Sequence, residues 1–398
     1  MTPRDFATDV VRRLREAGYE ALWAGGCVRD ERLGLTPDDY DVATNARPED
    51  VQKQFRRTIA IGAAFGVIDV IGPRYGDGFH TVQVATFRSD GTYTDGRRPD
   101  SVTFGTAEAD AERRDFTING LFFDPHENRL IDYVGGVADL DAKILRAIGD
   151  PVARFTEDKL RILRAVRMAT RFDLAIDPAT LAAAKAMAAE IRAVSAERIA
   201  EELRKLLAHP NRVRGVALLA EFGLLNAVLP ELNESVNESI IAALPCAAEF
   251  PLAFAALVLP LSSRVAADIG DRLRLSNDET RRITYLVENR MALVDAETLP
   301  ASRLYPFLTH PFASDLIALH RAVGHSAAAD FCERTLRETA RERLDPPPLL
   351  TGDNLKLAGY KPGPEFKVVL EAVRAKQLDG ILSTPEQALA EAKRLLNS

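Results

Sequence analysis

Residues 21–30, Ala21-Leu22-Trp23-Ala24-Gly25-Gly26-Cys27-Val28-Arg29-Asp30, are followed after a short polar stretch by Asp39-Tyr40-Asp41-Val42-Ala43-Thr44. These two stretches decide how the chain is read. The apolar run Ala21 to Ala24 predicts a buried strand, and Val28 to Leu33 the first turns of a helix. Gly25 and Gly26 at the corner let backbone N–H groups approach a triphosphate near the helix N-terminus. In an extended segment side chains alternate, so Asp39 and Asp41 share one face while Tyr40 and Val42 point the other way. Such a pair can hold divalent cations. An ordinary strand-turn-helix corner accounts for the same glycines, and solvated loop aspartates for the same pair, so both readings stay open on spacing alone.

Working outward, the β-branched clusters Thr58 to Ile61, Val67 to Ile71 and Thr81 to Thr86, separated by Gly and Asp turns, predict strands of one sheet. Helices over roughly 3–17 and 48–55 are expected to cover one face, giving an α+β head. Sixteen of the 24 glycines lie within residues 1–150, so the first part is turn-rich and the remainder helix-rich. Beyond Pro151 the strand signal nearly vanishes. Pro178 to Ala189, Ala196 to Ala208, Asp278 to Asp295 and Pro385 to Leu396 carry helical periodicity. Pro346-Pro347-Pro348 marks a boundary before a final unit starting near Thr351.

The chain has 398 residues, 46% hydrophobic and 27% charged, which places it among ordinary globular proteins of two to four domains. Cys27, Cys246 and Cys332 are odd in number and far apart, which argues against a disulfide framework or a zinc cluster. The longest apolar stretch, Phe250 to Leu261, is broken by Pro251 and Pro260 and is too short to span a bilayer. The N-terminal segment reads as an amphipathic helix, so a soluble cytoplasmic protein without membrane contact is expected. A net charge of -7 weighs against a polyanion partner, but local charge matters more. Between Arg146 and Arg171 there are seven Arg or Lys residues against three acids.

Two further constellations carry chemistry. In Arg113-Arg114-Asp115-Phe116-Thr117-Ile118-Asn119, adjacent guanidiniums can grip phosphate oxygens, while Asp115 or Asn119 can orient an arginine or bond a ribose hydroxyl. A basic turn before a buried segment explains the same residues. Glu157-Asp158-Lys159-Leu160-Arg161 is expected to open a helix running through Arg164, Arg167 and Arg171. At about 100° per residue this helix has one apolar and one basic flank, and a solvated basic face is the commoner explanation. Asp158 and Arg161, one turn apart, can instead read a base edge. Cytosine and adenine both set an amino donor beside a ring-nitrogen acceptor, which suits a carboxylate and a guanidinium; uracil and guanine reverse that order.

These residues, in this order, resemble the class II CCA-adding tRNA nucleotidyltransferase and bacterial poly(A) polymerase family. The likeness runs from Ala24 to about Leu207. It includes Thr86-Phe87-Arg88, the loop Tyr93-Thr94-Asp95-Gly96-Arg97-Arg98-Pro99 and Glu197-Arg198-Ile199, with a tail-like stretch from Leu349 to Leu355. The resemblance implies a polymerase-β-like nucleotidyltransferase head (1–150), a helical neck with the base-selecting helix (151–210), a helical body (211–345) and a helical tail (346–398), with tRNA along the helical part. Carried over, Asp39 and Asp41 would be catalytic and hold Mg2+. Gly25, Gly26, Arg29, Arg114, Asp115 and Asn119 would contact the nucleotide, Asp158 and Arg161 its base, and Arg164 and Arg167 would complete the pocket.

Two departures stand out. Family members commonly carry a third carboxylate where Thr81-Val82-Gln83-Val84 offers Gln83, which keeps an oxygen ligand and loses the charge. In addition, none of the six histidines forms a His-Asp step or an HxxxH spacing, so no phosphohydrolase site is expected in the body. The segment Ile61 to Gly66 and the intact loop Ser89 to Thr106 favour CCA addition to tRNA from CTP and ATP. A poly(A) polymerase or A-adding enzyme is the alternative, and a catalytically inactive RNA-binding module the third.

Overall fold

The computed structural model describes residues 1–62, 66–75, 78–91, 101–233 and 236–397. The quoted loop Tyr93 to Pro99 and residues 63–65 of the segment Ile61 to Gly66 lie outside the described residues.

Helix α1 (Pro3–Glu16) is started by a capping box between Thr2 and Asp5 and buries Phe6, Val10, Val11 and Leu14. Strand β1 (Ala21–Ala24) is buried throughout, and α2 (Gly26–Arg32) follows at once. Next come β2 (Asp41–Thr44), α3 (Pro48–Gln54), β3 (Thr58–Gly62), β4 (Val67–Tyr75) and β5 (Gly78–Thr86). A separate two-stranded ribbon of β6 (Arg88–Asp90) and β7 (Val102–Phe104) and helix α4 (Ala107–Glu112) follow, and β8 (Leu121–Asp124) and β9 (Arg129–Asp132) complete a seven-stranded sheet of order β3-β4-β5-β2-β1-β8-β9. All three strand clusters expected from sequence lie in this sheet. β8 overlaps a segment read only as buried, Phe116 to Phe123, and β9 was not expected from the sequence.

The register places the chemistry. β2 runs parallel to β5 with Asp41 opposite Gln83, and β4 runs antiparallel to β5 with Asp69 opposite Gln83. Asp69, Gln83 and Asp41 therefore form one row across three strands on one face. The next row, Val67, Ala85 and Ala43, is apolar. Leu22, Ala24, Ala43, Phe87 and Phe122 pack into a core beneath this face, and Trp23, on the opposite face, stacks on Phe123 and meets Tyr40 edge-on.

After α5 (Gly136–Asp141) and β10 (Ile144–Leu145), the chain is helical with one exception. β11 (Ala175–Ile176) pairs in parallel with β10, so a two-residue strand sits inside the region read as all-helical. The expected helix from Glu157 is also corrected. α6 (Pro151–Glu157) ends at Asp158, whose extended backbone (φ -146°, ψ 105°) breaks the helix before α7 (Leu160–Phe172) begins. Asp158 stands at this joint, with its carboxylate accepting from the Leu160 N–H as a cap would. α8 (Pro178–Met187) and α9 (Ala196–Leu207) follow. The helix expected over Asp278 to Asp295 runs only from Asn277 to Glu288 before breaking into turns.

The chain divides into two compact units, Met1–Leu206 with Arg214–Pro230, and Leu207–Val213 with Glu231–Ser398. All the sheet strands and α1 to α8 belong to the first. In the second, Leu350, Leu355, Val369, Val373, Ala388 and Ala392 form a core of their own within the last fifty residues.

Candidate active site

A cavity of about 560 Å³ opens on the sheet face that carries Asp41 and Gln83, within the first unit. It brings together all twelve site residues expected from sequence: Gly25, Gly26, Arg29, Asp39, Asp41, Arg114, Asp115, Asn119, Asp158, Arg161, Arg164 and Arg167. Eight arginines and four aspartates line it, so the cavity is cationic although the chain is anionic. A concave site focuses such charge toward an anionic ligand.

The corner at Gly25 is built for close approach. Its φ of +70° suits glycine, and a Cβ there would lie 2.5 Å from the Arg114 guanidinium. Gly25 donates its own N–H to the Leu121 carbonyl at 2.8 Å, so this amide is spent on the sheet and is not the phosphate donor that the sequence suggested. Arg29, buried in α2, donates to Asp30 at 2.7 Å and to the Asn119 side-chain oxygen, and lies over the Phe172 ring. Burial holds its pKa below the ordinary arginine value.

Behind the corner, Asp110 accepts from both Arg113 (2.6 and 2.9 Å) and Arg114 (2.9 and 3.2 Å). Burial alone would raise this carboxyl, but the two guanidiniums outweigh it and hold its pKa below the usual range. Asp115 accepts from Arg164 at 2.7 and 2.9 Å and from the Asn119 amide at 2.9 Å. Here too burial is outweighed, chiefly by Arg164, and the carboxyl sits far below its ordinary value. Arg167 donates to Glu202 of α9 at 2.5 Å. Arg161 and Arg167 are buried, so the basic flank of α7 faces the cavity rather than bulk solvent.

At the joint before α7, Asp158 takes two hydrogen bonds from Arg198, at 2.7 and 3.2 Å. Arg161 donates to Glu157 at 2.6 Å and to the carbonyls of Arg154 and Arg113 at 3.1 Å each. Among the described residues three of the five guanidinium N–H groups are thereby used and two are left. Asp110, Glu202 and the latching role of Arg198 were not foreseen. Asp110 stands three and four positions before Arg113 and Arg114, a readable helical spacing. Glu202 lies 35 residues from Arg167, and nothing local links them.

Asp39 and Asp41 present the opposite case. Burial first, and the nearby Asp39 second, push the Asp41 carboxyl up to about 6, with Asp69 adding to the repulsion and Arg114 opposing it. Among the described residues, no group of three His, Cys, Asp or Glu side chains is gathered to hold a cation. A repelling pair of hard oxygen donors in a polar cavity suits a divalent cation such as Mg2+, with further oxygens drawn from water, substrate or Gln83.

Two family models match the chain: the Poly A polymerase head domain over residues 21–146, and the probable RNA and SrmB- binding site of polymerase A over residues 173–235. The chain is 36% identical over 254 residues to Poly(A) polymerase I of Haemophilus influenzae, an alignment covering 60% of this chain and 55% of that protein. It therefore spans about half of that relative's length. To the CCA-adding enzyme of Limosilactobacillus fermentum it is 32% identical over 410 residues, 98% of this chain and 97% of that protein. The solved structure of the Bacillus stearothermophilus CCA-adding enzyme in complex with CTP superposes with a TM-score of 0.72 at 26% identity, covering 100% and 98% of the two chains. The chain belongs to the family of CCA-adding enzymes and bacterial poly(A) polymerases, a class of nucleotidyltransferases with a mixed-sheet head and helical regions after it. Among the described residues no helix is long and apolar enough to cross a membrane.

Proposed function

We propose that this protein adds CMP and AMP to tRNA 3′ ends from CTP and ATP, building the CCA end without a nucleic-acid template, in the cytoplasm. One observation carries the reading: a single cavity joins the Asp39/Asp41 pair to the Asp158/Arg161 joint through a wall of arginines. A triphosphate laid along Arg29, Arg113 and Arg114 would meet charge of opposite sign and have its α-phosphorus toward the aspartates. Its base would reach the joint. Bound at Asp39 and Asp41, Mg2+ would supply charge neutralisation and a lowered pKa for the RNA 3′-hydroxyl. The 3′-oxygen then bonds to the α-phosphorus as the bond to the β-phosphate oxygen breaks, and pyrophosphate leaves. Asp158 keeps acceptor capacity beyond Arg198, and Arg161 keeps two donors, so the pair can accept the exocyclic amine and donate to the ring nitrogen of cytosine or adenine.

The test is incubation with each triphosphate separately, using tRNA transcripts ending before CCA, tRNA ending in CC, and RNA with an unrelated 3′ end. CMP incorporation on the first and AMP on the second are expected. Strong ATP tailing of unrelated RNA would instead indicate a poly(A) polymerase, and RNA binding without any product would indicate an inactive module.

A further inference from the structure

The row Asp41, Gln83, Asp69 crosses β2, β5 and β4 at one level of the sheet. Gln83 sits between two aspartates. Its amide nitrogen lies 3.5 Å from an Asp69 oxygen, a long hydrogen bond. An ionised carboxylate only accepts, so the nitrogen end of the amide must face Asp69. With the nitrogen end taken by Asp69, the carbonyl oxygen is the end left for the β2 side of the row, where Asp41 stands opposite Gln83. Gln83 lines the cavity, and β5 alternates so that residues 81, 83 and 85 face outward while 80, 82 and 84 are buried. An exposed glutamine without a partner would rotate freely about its side-chain bonds. Asp69 restricts that choice.

We propose that Asp69 is a positioning residue for Gln83: by holding the amide nitrogen, it presents the carbonyl oxygen as a third oxygen donor toward the cation held by Asp39 and Asp41, and its negative charge polarises that oxygen. The inference rests on the cation-dependent reading above. It is the arrangement by which an outer carboxylate fixes the orientation and strengthens the basicity of an inner ligand. It also explains how two carboxylates and a neutral amide can act where, among the described residues, no third acid converges.

Mn2+ is titrated into the purified full chain, with the free ion followed by electron paramagnetic resonance and folding checked by circular dichroism. Asp69→Ala, which loses both bond and charge, is expected to weaken Mn2+ binding about tenfold, and Asp69→Asn, which can keep the bond, by less. Adding Gln83→Glu to Asp69→Ala is expected to bring affinity back to within about threefold of the parent, since a carboxylate at 83 needs no orienting partner. A merely structural Asp69 would leave the Mn2+ affinity of the folded Asp69→Ala variant unchanged. Unchanged Mn2+ affinity in both Asp69 variants, with Asp41→Asn abolishing it, overturns the role of Asp69 alone. Loss without rescue in a folded double variant overturns it as well. Unchanged binding in Asp41→Asn would sink the cation reading itself, and this inference with it.

Discussion

The cavity has two walls of opposite character. On the arginine wall, charge is already paired: Arg164 with Asp115, Arg167 with Glu202, Arg161 with Glu157, and Asp158 with Arg198. On the acid wall, Asp39 and Asp41 repel each other, and Asp41 is pushed up to about 6 by burial and by that repulsion. The first wall is preorganised by its own ion pairs and needs no ligand to hold its shape. The second holds repulsion that Arg114 only partly offsets and that a proton or a bound cation would relieve. On the proposed reading, binding of an anion is prepared in the fold, whereas the reacting centre would be completed by the cation.

The contrast can be broken most severely at the acid wall. Asp41→Asn is expected to lower the single-turnover rate of CMP addition by about a thousandfold or more. Nucleotide affinity, which the proposed reading assigns to the arginine wall, should fall far less, as measured by CTP binding. A comparable loss of both would mean the two walls are not separable.

Breaking the arginine wall should cost stability. Asp115→Asn removes the nearer of two counter-charges of the Arg164 guanidinium, Glu202 standing 3.8 Å away, and because the Arg164 side chain is one-third exposed, the loss is expected at about 2–3 kcal/mol rather than the larger value of a fully buried pair. Denaturant unfolding at pH 7 measures it. Because the folded carboxyl lies far below its ordinary value, this stability is present above about pH 4 and is lost as pH falls through the lower folded value. The variant and the parent should converge in acid.

The acid wall should show the opposite sign. With the folded Asp41 carboxyl raised to about 6, its ionised form costs the folded state stability; that cost is absent below about pH 4, develops through pH 6 and is complete above it. In chelator at pH 8, Asp41→Asn is expected to raise stability by about 2 kcal/mol, and at pH 4 to leave it unchanged. A destabilised variant at pH 8 would contradict the repulsion.

The smallest effect concerns selectivity at the joint. Asp158→Ala is expected to reduce the preference for CTP and ATP over UTP and GTP by about tenfold in kcat/KM, the value of one base-edge hydrogen-bond pair. Unchanged selectivity among the four triphosphates would remove Asp158 from base reading.

The buried strand at Ala21 to Ala24, the glycine corner and the alternating Asp39-Tyr40-Asp41-Val42 run were legible because each depends on near neighbours in the chain. Tyr40 and Val42 are buried and the two aspartates reach the cavity, as a period of two requires. The break at Asp158 was not legible, since Glu157 to Arg161 has good helical composition and no proline or glycine. The capping carboxylate and the pull of Arg198, 40 residues away, decide that turn. β8 was missed because its partners β1 and β9 complete a pattern that Leu121 to Asp124 do not show alone.

The sequence by itself determined the kinds of groups available: two acids one residue apart, a glycine corner, paired arginines and a basic helix, all set by local spacing and backbone preference. Only the tertiary structure decided which charge meets which. Asp110 under two arginines, Glu202 under Arg167, and Asp69 beside Gln83 depend on strand register and helix packing. Electrostatic pairing acts over a few ångströms of space and is indifferent to the number of residues between the partners.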